Sequence, residues 1–236
     1  MRLAARWMAW VGVAVAIGLA AATLEARDRW YQRAPSQEHL LYLTNGRVAD
    51  RLSLSFDAVM ADVYWIRTIQ HYGSQKKARS FSGRFNLLHP LVDLTTSLDP
   101  YFTVAYQFGA LFLAEPEPNG PGRLDLGIAL LEKGLRTEPT RWQYAQYLGY
   151  LHYLYGKDRL AAARQFTRAA DMPDAPIWLR PVAADMLVEG GDRAAAQTML
   201  EALEQSEEPW IRDLAKRKLA DLSRDPTRDV PQQEER

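Results

Sequence analysis

The chain has 236 residues, of which 47% are hydrophobic, 29 are Lys or Arg and 29 are Asp or Glu. This length is sufficient for one sizeable domain or two small ones. A formal net charge of zero argues against nucleic-acid binding, because proteins that follow a phosphate backbone carry a basic excess. The absence of cysteine from the sequence excludes disulfides, thiolate metal ligands, a cysteine nucleophile and lipid attachment through cysteine.

The first feature along the chain is an uncharged apolar run over residues 7–24. As a helix rising about 1.5 Å per residue, this run would be about 27 Å long, close to a hydrocarbon thickness of about 30 Å. It predicts a transmembrane signal anchor within residues 1–25, with aromatic residues near both interfaces. The alternative is a signal peptide cleaved near Ala20, Ala21 and Ala22, although cleavable cores usually span only about 7–15 residues.

The membrane orientation is predicted mainly from the short segment before the run. Positive charges are nearly balanced, with Arg2 and Arg6 before the run and Arg27, Arg29 and Arg33 after it. A short stub is more easily left in the cytoplasm while the large C-terminal part is exported. We therefore expect a single-pass protein of a bacterial inner membrane whose C-terminal domain is periplasmic. Signal cleavage would instead give a soluble periplasmic protein.

The segments that flank the main domain have few structural signals. Residues 26–54 contain Pro35 and the turn pair Asn45-Gly46, and they predict a juxtamembrane connector. Residues 223–236 contain two prolines and almost no apolar side chain, so they cannot offset their ordering entropy by burial. We expect a disordered tail there. Between them, residues 55–222 have a helical pattern throughout, without a convincing alternating strand.

A recurring pattern of small and large residues divides this helical region. Gly109, Gly149 and Ala184 occupy equivalent positions where two helices would approach closely, and large residues such as Phe166 and Leu200 follow them. Prolines close the units. The pattern predicts units at about 55–101, 102–141, 142–176 and 177–210, followed by a polar capping helix at 211–222.

This pattern resembles the tetratricopeptide repeat (TPR), a helix-turn-helix unit of about 34 residues. The resemblance implies an all-α solenoid of about three to four repeats, in addition to the N-terminal membrane helix. The tryptophan that often opens the first helix is replaced here by Ala105, Ala145 and Arg180. Residues 52–54, 61–67 and 72–73 are also similar to segments of bacterial membrane-anchored TPR proteins of unassigned activity.

The first unit departs most from the repeat pattern. Its first helix is predicted at residues 57–72, with Tyr64, Trp65 and Tyr72, and its second helix ends at Leu98. Between these helices, residues 73–86 form a polar, basic stretch that is longer than an ordinary turn.

Catalytic and metal-binding motifs are missing from the sequence. The four histidines, His39, His71, His89 and His152, have no metal-ligand spacing, and no phosphate-binding loop or nucleophile elbow is present. Residues 118–123 read as a rigid turn between two helices. The sequence therefore predicts a protein that is not an enzyme and has no cofactor, metal or small-molecule substrate.

A helical solenoid offers a concave face formed by the first helix of each repeat. Aromatic and amide side chains on that face suit peptide recognition, because rings supply contact area with few rotatable bonds. The alternative is that these rings only pack between repeats. The carboxylate-clamp mode of some TPR modules is disfavoured, because the corresponding positions are mainly uncharged. The predicted partner-binding residues are Tyr106, Gln143, Gln146, Tyr150, Tyr153, Trp178 and Asp185.

These features together predict a membrane-tethered scaffold or assembly factor that binds a protein partner. Two alternatives remain open at the level of sequence. One is a cleaved, soluble periplasmic chaperone or assembly factor, and the other is a structural subunit of a larger membrane complex.

Overall fold

A computed structural model describes residues 2–31, 56–77 and 83–224 of the protein. The described residues form helices and turns without any strand, which confirms the predicted all-α class. The chain divides into two compact units, Met1–Tyr42 and Leu43–Arg236. Most of the predicted connector, residues 32–54, and residues 225–236 of the predicted tail lie outside the described residues.

The first unit contains one long helix, α1 (Arg2–Tyr31). This helix includes the whole uncharged run of residues 7–24 and continues through residues 26–31, which the sequence assigns to the connector. The side chains described within it, from residues 12, 13 and 15–27, are all exposed, including Ile17 and Leu19. Among the residues that the structure describes, no helix has the length and apolar character needed to cross a membrane.

The second unit consists of consecutive helices joined by turns and short loops. Its described part contains α2 (Asp57–Lys77), α3 (Leu88–Leu98), α4 (Thr103–Ala114), α5 (Leu124–Thr137), α6 (Trp142–Leu151), α7 (Arg159–Ala170), α8 (Leu179–Glu189), α9 (Arg193–Leu203) and α10 (Pro209–Arg224).

Each of these helices packs mainly against its neighbours in the sequence. The pairs α2 with α3, α4 with α5, α6 with α7 and α8 with α9 follow one another, and α10 covers α9. In addition, α4 contacts α6, so the first helices of two successive pairs lie side by side. Packing mainly between elements that are close in the sequence is typical of helical repeats.

Aspartates begin the second helices of two successive pairs. The Asp158 carboxylate accepts a hydrogen bond from the Ala161 N–H at 2.8 Å, and the Asp192 carboxylate accepts one from the Ala195 N–H at 3.1 Å. Each bond satisfies a backbone donor that has no partner inside its own helix. The two caps mark equivalent points in the third and fourth predicted units.

Small residues allow the helices of this unit to approach closely. A Cβ atom placed at Gly109 would lie 2.7 Å from Val92 Cγ1, and one placed at Gly149 would lie 2.9 Å from the Phe166 ring. Phe166 itself is 1% exposed and packs in a core with Ala162 and Ala169. The small residues that the repeat pattern singled out therefore lie at helix contacts.

Two helix ends differ from the sequence-based bounds. Helix α2 continues past Tyr72 to Lys77, and α10 includes Ser223 and Arg224. Helix α6 is followed directly by a single π-helical turn at His152–Gly156. The π turn is followed by Lys157 in the left-handed conformation, with φ of 51°.

Candidate functional site

Two of the seven predicted partner-binding residues lie in the core. Tyr106 has no exposed surface, its ring centroid lies 5.3 Å from that of Tyr144, and its hydroxyl donates to the Thr96 carbonyl at 3.3 Å. Gln146 is 8% exposed. Both belong to helices that are uncharged on every side, so sequence periodicity alone did not identify the solvent-facing side. These two residues serve packing and are not on the accessible surface.

Tyr150 and Tyr153 are half-buried at the end of α6. The Gln146 amide donates to the Tyr150 hydroxyl at 3.0 Å, and the Tyr150 ring packs edge-on against Phe166 with centroids 5.4 Å apart. The Arg159 guanidinium lies 4.2 Å from the centroid of the Tyr153 ring. Gln146 and Tyr150 are therefore in direct contact, whereas Tyr153 is held by a cation–π interaction on the following turn.

The remaining three residues are spread over two helices. Gln143 is half-buried near the start of α6, and Trp178 is 36% exposed at the residue before α8. Asp185 is half-buried and forms an ion pair with Lys218 of α10. Among the described residues, no ring contact joins Trp178 to the α6 tyrosines. The predicted set is thus only partly brought together.

A linked series of aromatic rings crosses the first helices of the first three pairs and ends on α7. Neighbouring ring centroids in this series are 4.1–6.5 Å apart, so each ring is in contact with the next. Its two ends are buried, and its middle rings are partly exposed. We call this series the aromatic row, and it consists of Trp65, Tyr72, Phe112, Phe108, Tyr147, Tyr150 and Phe166.

The middle of the row belongs to an accessible apolar surface. Phe108 is 42% exposed and Val104, one turn earlier on α4, is 43% exposed. The rings of Phe108 and Tyr147 meet edge to face at 6.4 Å and connect α4 to α6. Burial raises the pKa of Tyr147, so its phenol is neutral at physiological pH. The exposed rings form a surface on which a partner could dock.

The helices that carry this surface have no charges. Neither α4 nor α6 contains an acidic or basic residue, whereas α5 and α7, which pack against them, contain several. Exposed apolar side chains that lie next to one another, without charges between them, are typical of surfaces at which proteins interact. The row is therefore a better candidate site than the scattered predicted set.

An ion pair borders the row on its α2 side. Lys76 Nζ lies 2.8 Å from Glu115 Oε1 and 4.8 Å from the centroid of the Tyr72 ring. These two groups already have partners within the chain, so they form a polar edge beside the apolar rings, as is usual at the rim of a protein interface.

Sequence reasoning missed Phe108 and Tyr147 as surface residues. Their spacing contained a signal, because Phe108 and Phe112 are four residues apart and Tyr147 and Tyr150 are three apart, which places each pair on one helix face. The missing information was which face of α4 and α6 is covered, and that depends on the contacts made by Tyr106 and Gln146.

Chemical sites are not evident elsewhere in the described residues. No group of three or more His, Asp or Glu side chains suited to a metal ion occurs in that part of the chain. A cavity of about 590 Å³ lies between the start of α3 and the loop at residues 117–123. Two arginines line it, but Arg84 Nε donates to the Gln75 carbonyl at 2.8 Å and Arg123 pairs with Asp125 at 2.6 Å. The chain's own acceptors therefore already engage these arginines.

The comparisons with known proteins give no relative from which to transfer a function. No protein-family model, no protein of curated function and no solved structure matches the chain. The argument about function therefore rests on the aromatic row and its surroundings.

Proposed function

We propose that this protein is a membrane-tethered scaffold or assembly factor whose TPR-like helical repeats bind a protein partner across the aromatic row. The observation that carries the proposal is the exposed apolar surface around Phe108 and Tyr147 on two helices without charges. Interface centres are typically depleted in charged residues and enriched in Tyr, Phe and Trp. The polar rim of Lys76 with Glu115 supports the same assignment.

The repeat architecture is proposed from the succession of helix pairs. Packing between neighbours, the contact of α4 with α6 and the equivalent Asp158 and Asp192 caps all support stacked TPR-like units. In such a stack the first helices line one face. The exposed part of the row follows α4 and α6, after its start on α2, and this is the face expected to receive a partner.

The membrane tether is proposed from the sequence of α1. The uncharged run of residues 7–24 falls within one helix, and the described apolar side chains of that helix are exposed. We place the protein in a bacterial inner membrane with its C-terminal domain in the periplasm. A reporter enzyme that is active only outside the cytoplasm, fused after Arg236, should be active. An inactive fusion whose reporter is folded would indicate the opposite orientation, with the C-terminal domain in the cytoplasm. N-terminal sequencing of the mature protein would reveal whether the signal is cleaved.

Crosslinking in intact cells tests the binding surface. A photoreactive amino acid is placed at Tyr147 in one variant and at Arg164, which is exposed on α7, in another. We expect one defined protein adduct from position 147 and none of the same identity from position 164. The same adduct from both positions, or none from position 147 in cells that contain folded protein, would contradict binding at the row.

A further inference from the structure

The outer face of α2 carries a second apolar surface, separate from the aromatic row. The inner face of this helix packs against α3 and, through Trp65, against Phe112 of α4. On the opposite face, apolar side chains recur at intervals of three and four residues, and four of these five side chains are 45–65% exposed. We call this surface the outer stripe, and it consists of Phe56, Val59, Val63, Ile66 and Ile69.

The last helix of the same unit has a different outer face. There α10 covers α9, and its residues Asp213, Lys216 and Arg217 are exposed and charged. A stack of helical repeats needs such a polar outer face at its ends to remain soluble. The first described helix of the unit, α2, instead presents neighbouring apolar side chains. Exposed apolar side chains that lie together in this way mark an interaction surface.

We propose that the outer stripe is the contact between two copies of this protein, whose α2 helices lie parallel and in register. The spacing of the stripe is that of a coiled-coil seam. Position a of successive heptads is taken by Phe56, Val63 and Gln70. Position d is taken by Val59 and Ile66. In a two-fold symmetric pair of this kind, each seam residue contacts its own counterpart in the second copy.

The charges beside the outer stripe are complementary to those of a second copy. Asp62 is exposed on one flank of the stripe. Arg67 is half-buried on the other flank, with its guanidinium 5.3 Å from the centroid of the Tyr64 ring. In a parallel pair, a flanking residue of one helix meets the residue about five positions later on the other helix. Asp62 of each copy therefore faces Arg67 of the other, which gives two symmetry-related ion pairs.

Gln70 restricts the register and direction of the pair. It is exposed on the line of the stripe, and its amide both donates and accepts hydrogen bonds, so it is complementary to the same amide in a second copy. A single polar residue at position a fixes the register of a coiled coil. An antiparallel copy centred on the stripe would place Gln70 opposite the apolar Val59. Lys77, one heptad later, would meet its own like charge, so the contact ends before it.

Disulfide crosslinking of the full-length protein in cells tests the proposal, because the sequence contains no native cysteine. Val59→Cys introduces one thiol near the start of the stripe. A parallel, in-register pair brings two such thiols together, whereas an antiparallel pair separates them. Arg164→Cys, at an exposed position of α7, is the matched control. After mild oxidation with copper phenanthroline, electrophoresis without reductant measures the fraction of crosslinked dimer.

We expect at least about tenfold more dimer from Val59→Cys than from Arg164→Cys, because only thiols held close together form a disulfide efficiently. In the Val59→Cys background, Asp62→Arg or Arg67→Asp should each lower the dimer yield at least about fivefold, since both ion pairs become repulsive. Both substitutions in one chain should restore the yield. Coexpression of the two single variants, one with a larger tag, should also restore it, but only as the mixed dimer.

Several outcomes would overturn the proposal. Equal dimer yields from Val59→Cys and Arg164→Cys, or none from either folded variant, would show that the stripe is not a contact between copies. A photoreactive residue at position 59 that captures a different protein, or residues 43–55 of its own chain, would identify another occupant. An unchanged yield in both single charge variants would reject the pairing of Asp62 with Arg67. So would a yield that neither the double variant nor the mixture restores.

Variants of the aromatic row distinguish this proposal from the proposed binding function. The rings of the row on α2, Trp65 and Tyr72, contact Phe112 on the inner side of the helix. In the Val59→Cys background, Phe108→Gln with Tyr147→Gln should therefore change the dimer yield by less than about twofold, because distant sites act independently. A loss as large as that caused by the charge variants would contradict a separate contact at the outer stripe.

Discussion

Replacing Gly149 by alanine tests the contact between α6 and α7 with the smallest possible change. The added Cβ would lie 2.9 Å from Phe166 Cε1 and Cζ and 3.0 Å from Cδ1. Carbon atoms in ordinary contact are about 3.5–4.0 Å apart, so the overlap is about 0.6 Å or more. The Phe166 ring has little room to move, because it is 1% exposed and Tyr150 packs against it.

The expected cost follows from two opposing contributions. Overpacking of a buried contact costs about 1–3 kcal/mol, and we expect about 2–3 kcal/mol here because the Phe166 ring has little room to move. Alanine has the better helix propensity by about 1 kcal/mol, which offsets part of that cost. We therefore expect Gly149→Ala to lower the free energy of unfolding by about 1–2 kcal/mol. In a domain of this size, that corresponds to a fall in Tm of about 3–6 °C. Gly149→Leu should lower the free energy of unfolding considerably more, because its side chain is larger.

Gly73 provides the matched control in another helix of the same unit. It lies within α2, and a Cβ added there would have nothing within 4 Å. Only the helix-propensity gain remains, so Gly73→Ala should raise the Tm by about 1–4 °C. Thermal unfolding of the full-length variants, followed by far-UV circular dichroism, gives both values under the same conditions.

The opposite signs of the two substitutions make the reasoning easy to refute. If Gly149→Ala left the Tm unchanged or raised it as Gly73→Ala does, Gly149 would not lie at a close helix crossing. A second variant tests the contact itself, because Phe166→Leu removes the ring that the added Cβ would meet. In the Phe166→Leu background, Gly149→Ala should lower the free energy of unfolding clearly less than it does in the unmodified protein.

Two further predictions concern helix caps and pH. Asp158→Ala and Asp192→Ala should each lower the free energy of unfolding by about 1 kcal/mol in urea titrations, because each removes a side-chain cap, and Asn at either position should restore most of it. Burial lowers the pKa of His71 below its usual 6.5, and neither ring nitrogen has a hydrogen-bond partner among the described residues. The stability that this neutral histidine provides is present above pH 6.5 and is lost as the pH falls towards its folded-state pKa, by up to about 1.4 kcal/mol per pH unit. His71→Leu should therefore show a smaller fall in Tm between pH 7.5 and pH 5 than the unmodified protein, and identical pH dependence would contradict this.

Helix α2 shows why some boundaries cannot be predicted from local sequence. Gly73 and the polar residues after it suggest an end near Tyr72, because glycine is a poor helix former. In the structure the helix continues, and its last turn is held by contacts with a distant helix. Tyr72 stacks on Phe112 with centroids 4.1 Å apart, and Lys76 binds Glu115. Such tertiary contacts outweigh a local cost of about 1 kcal/mol.

The face of α4 illustrates the same limitation for the candidate site. The sequence predicts the helix and the small residue at Gly109, because both follow from composition and spacing. It does not distinguish Tyr106 from Phe108, because α4 is apolar on all sides. The structure places Tyr106 against Tyr144 in the core and leaves Phe108 42% exposed. Identification of an exposed face needs the neighbouring helices, and amphipathic helices such as α10 do not have this ambiguity.

The affinity of the crosslinked partner for surface variants tests the central claim most directly. The partner captured from position 147 is titrated against the full-length protein, against Phe108→Gln with Tyr147→Gln, and against Arg164→Gln with Arg168→Gln. If the aromatic row is the binding surface, the first variant should raise the Kd by at least about 30-fold, equivalent to about 2 kcal/mol, and the second by less than about threefold. Both variants should unfold within a few degrees of the unmodified protein. Equal affinities for the two folded variants would contradict binding at the aromatic row.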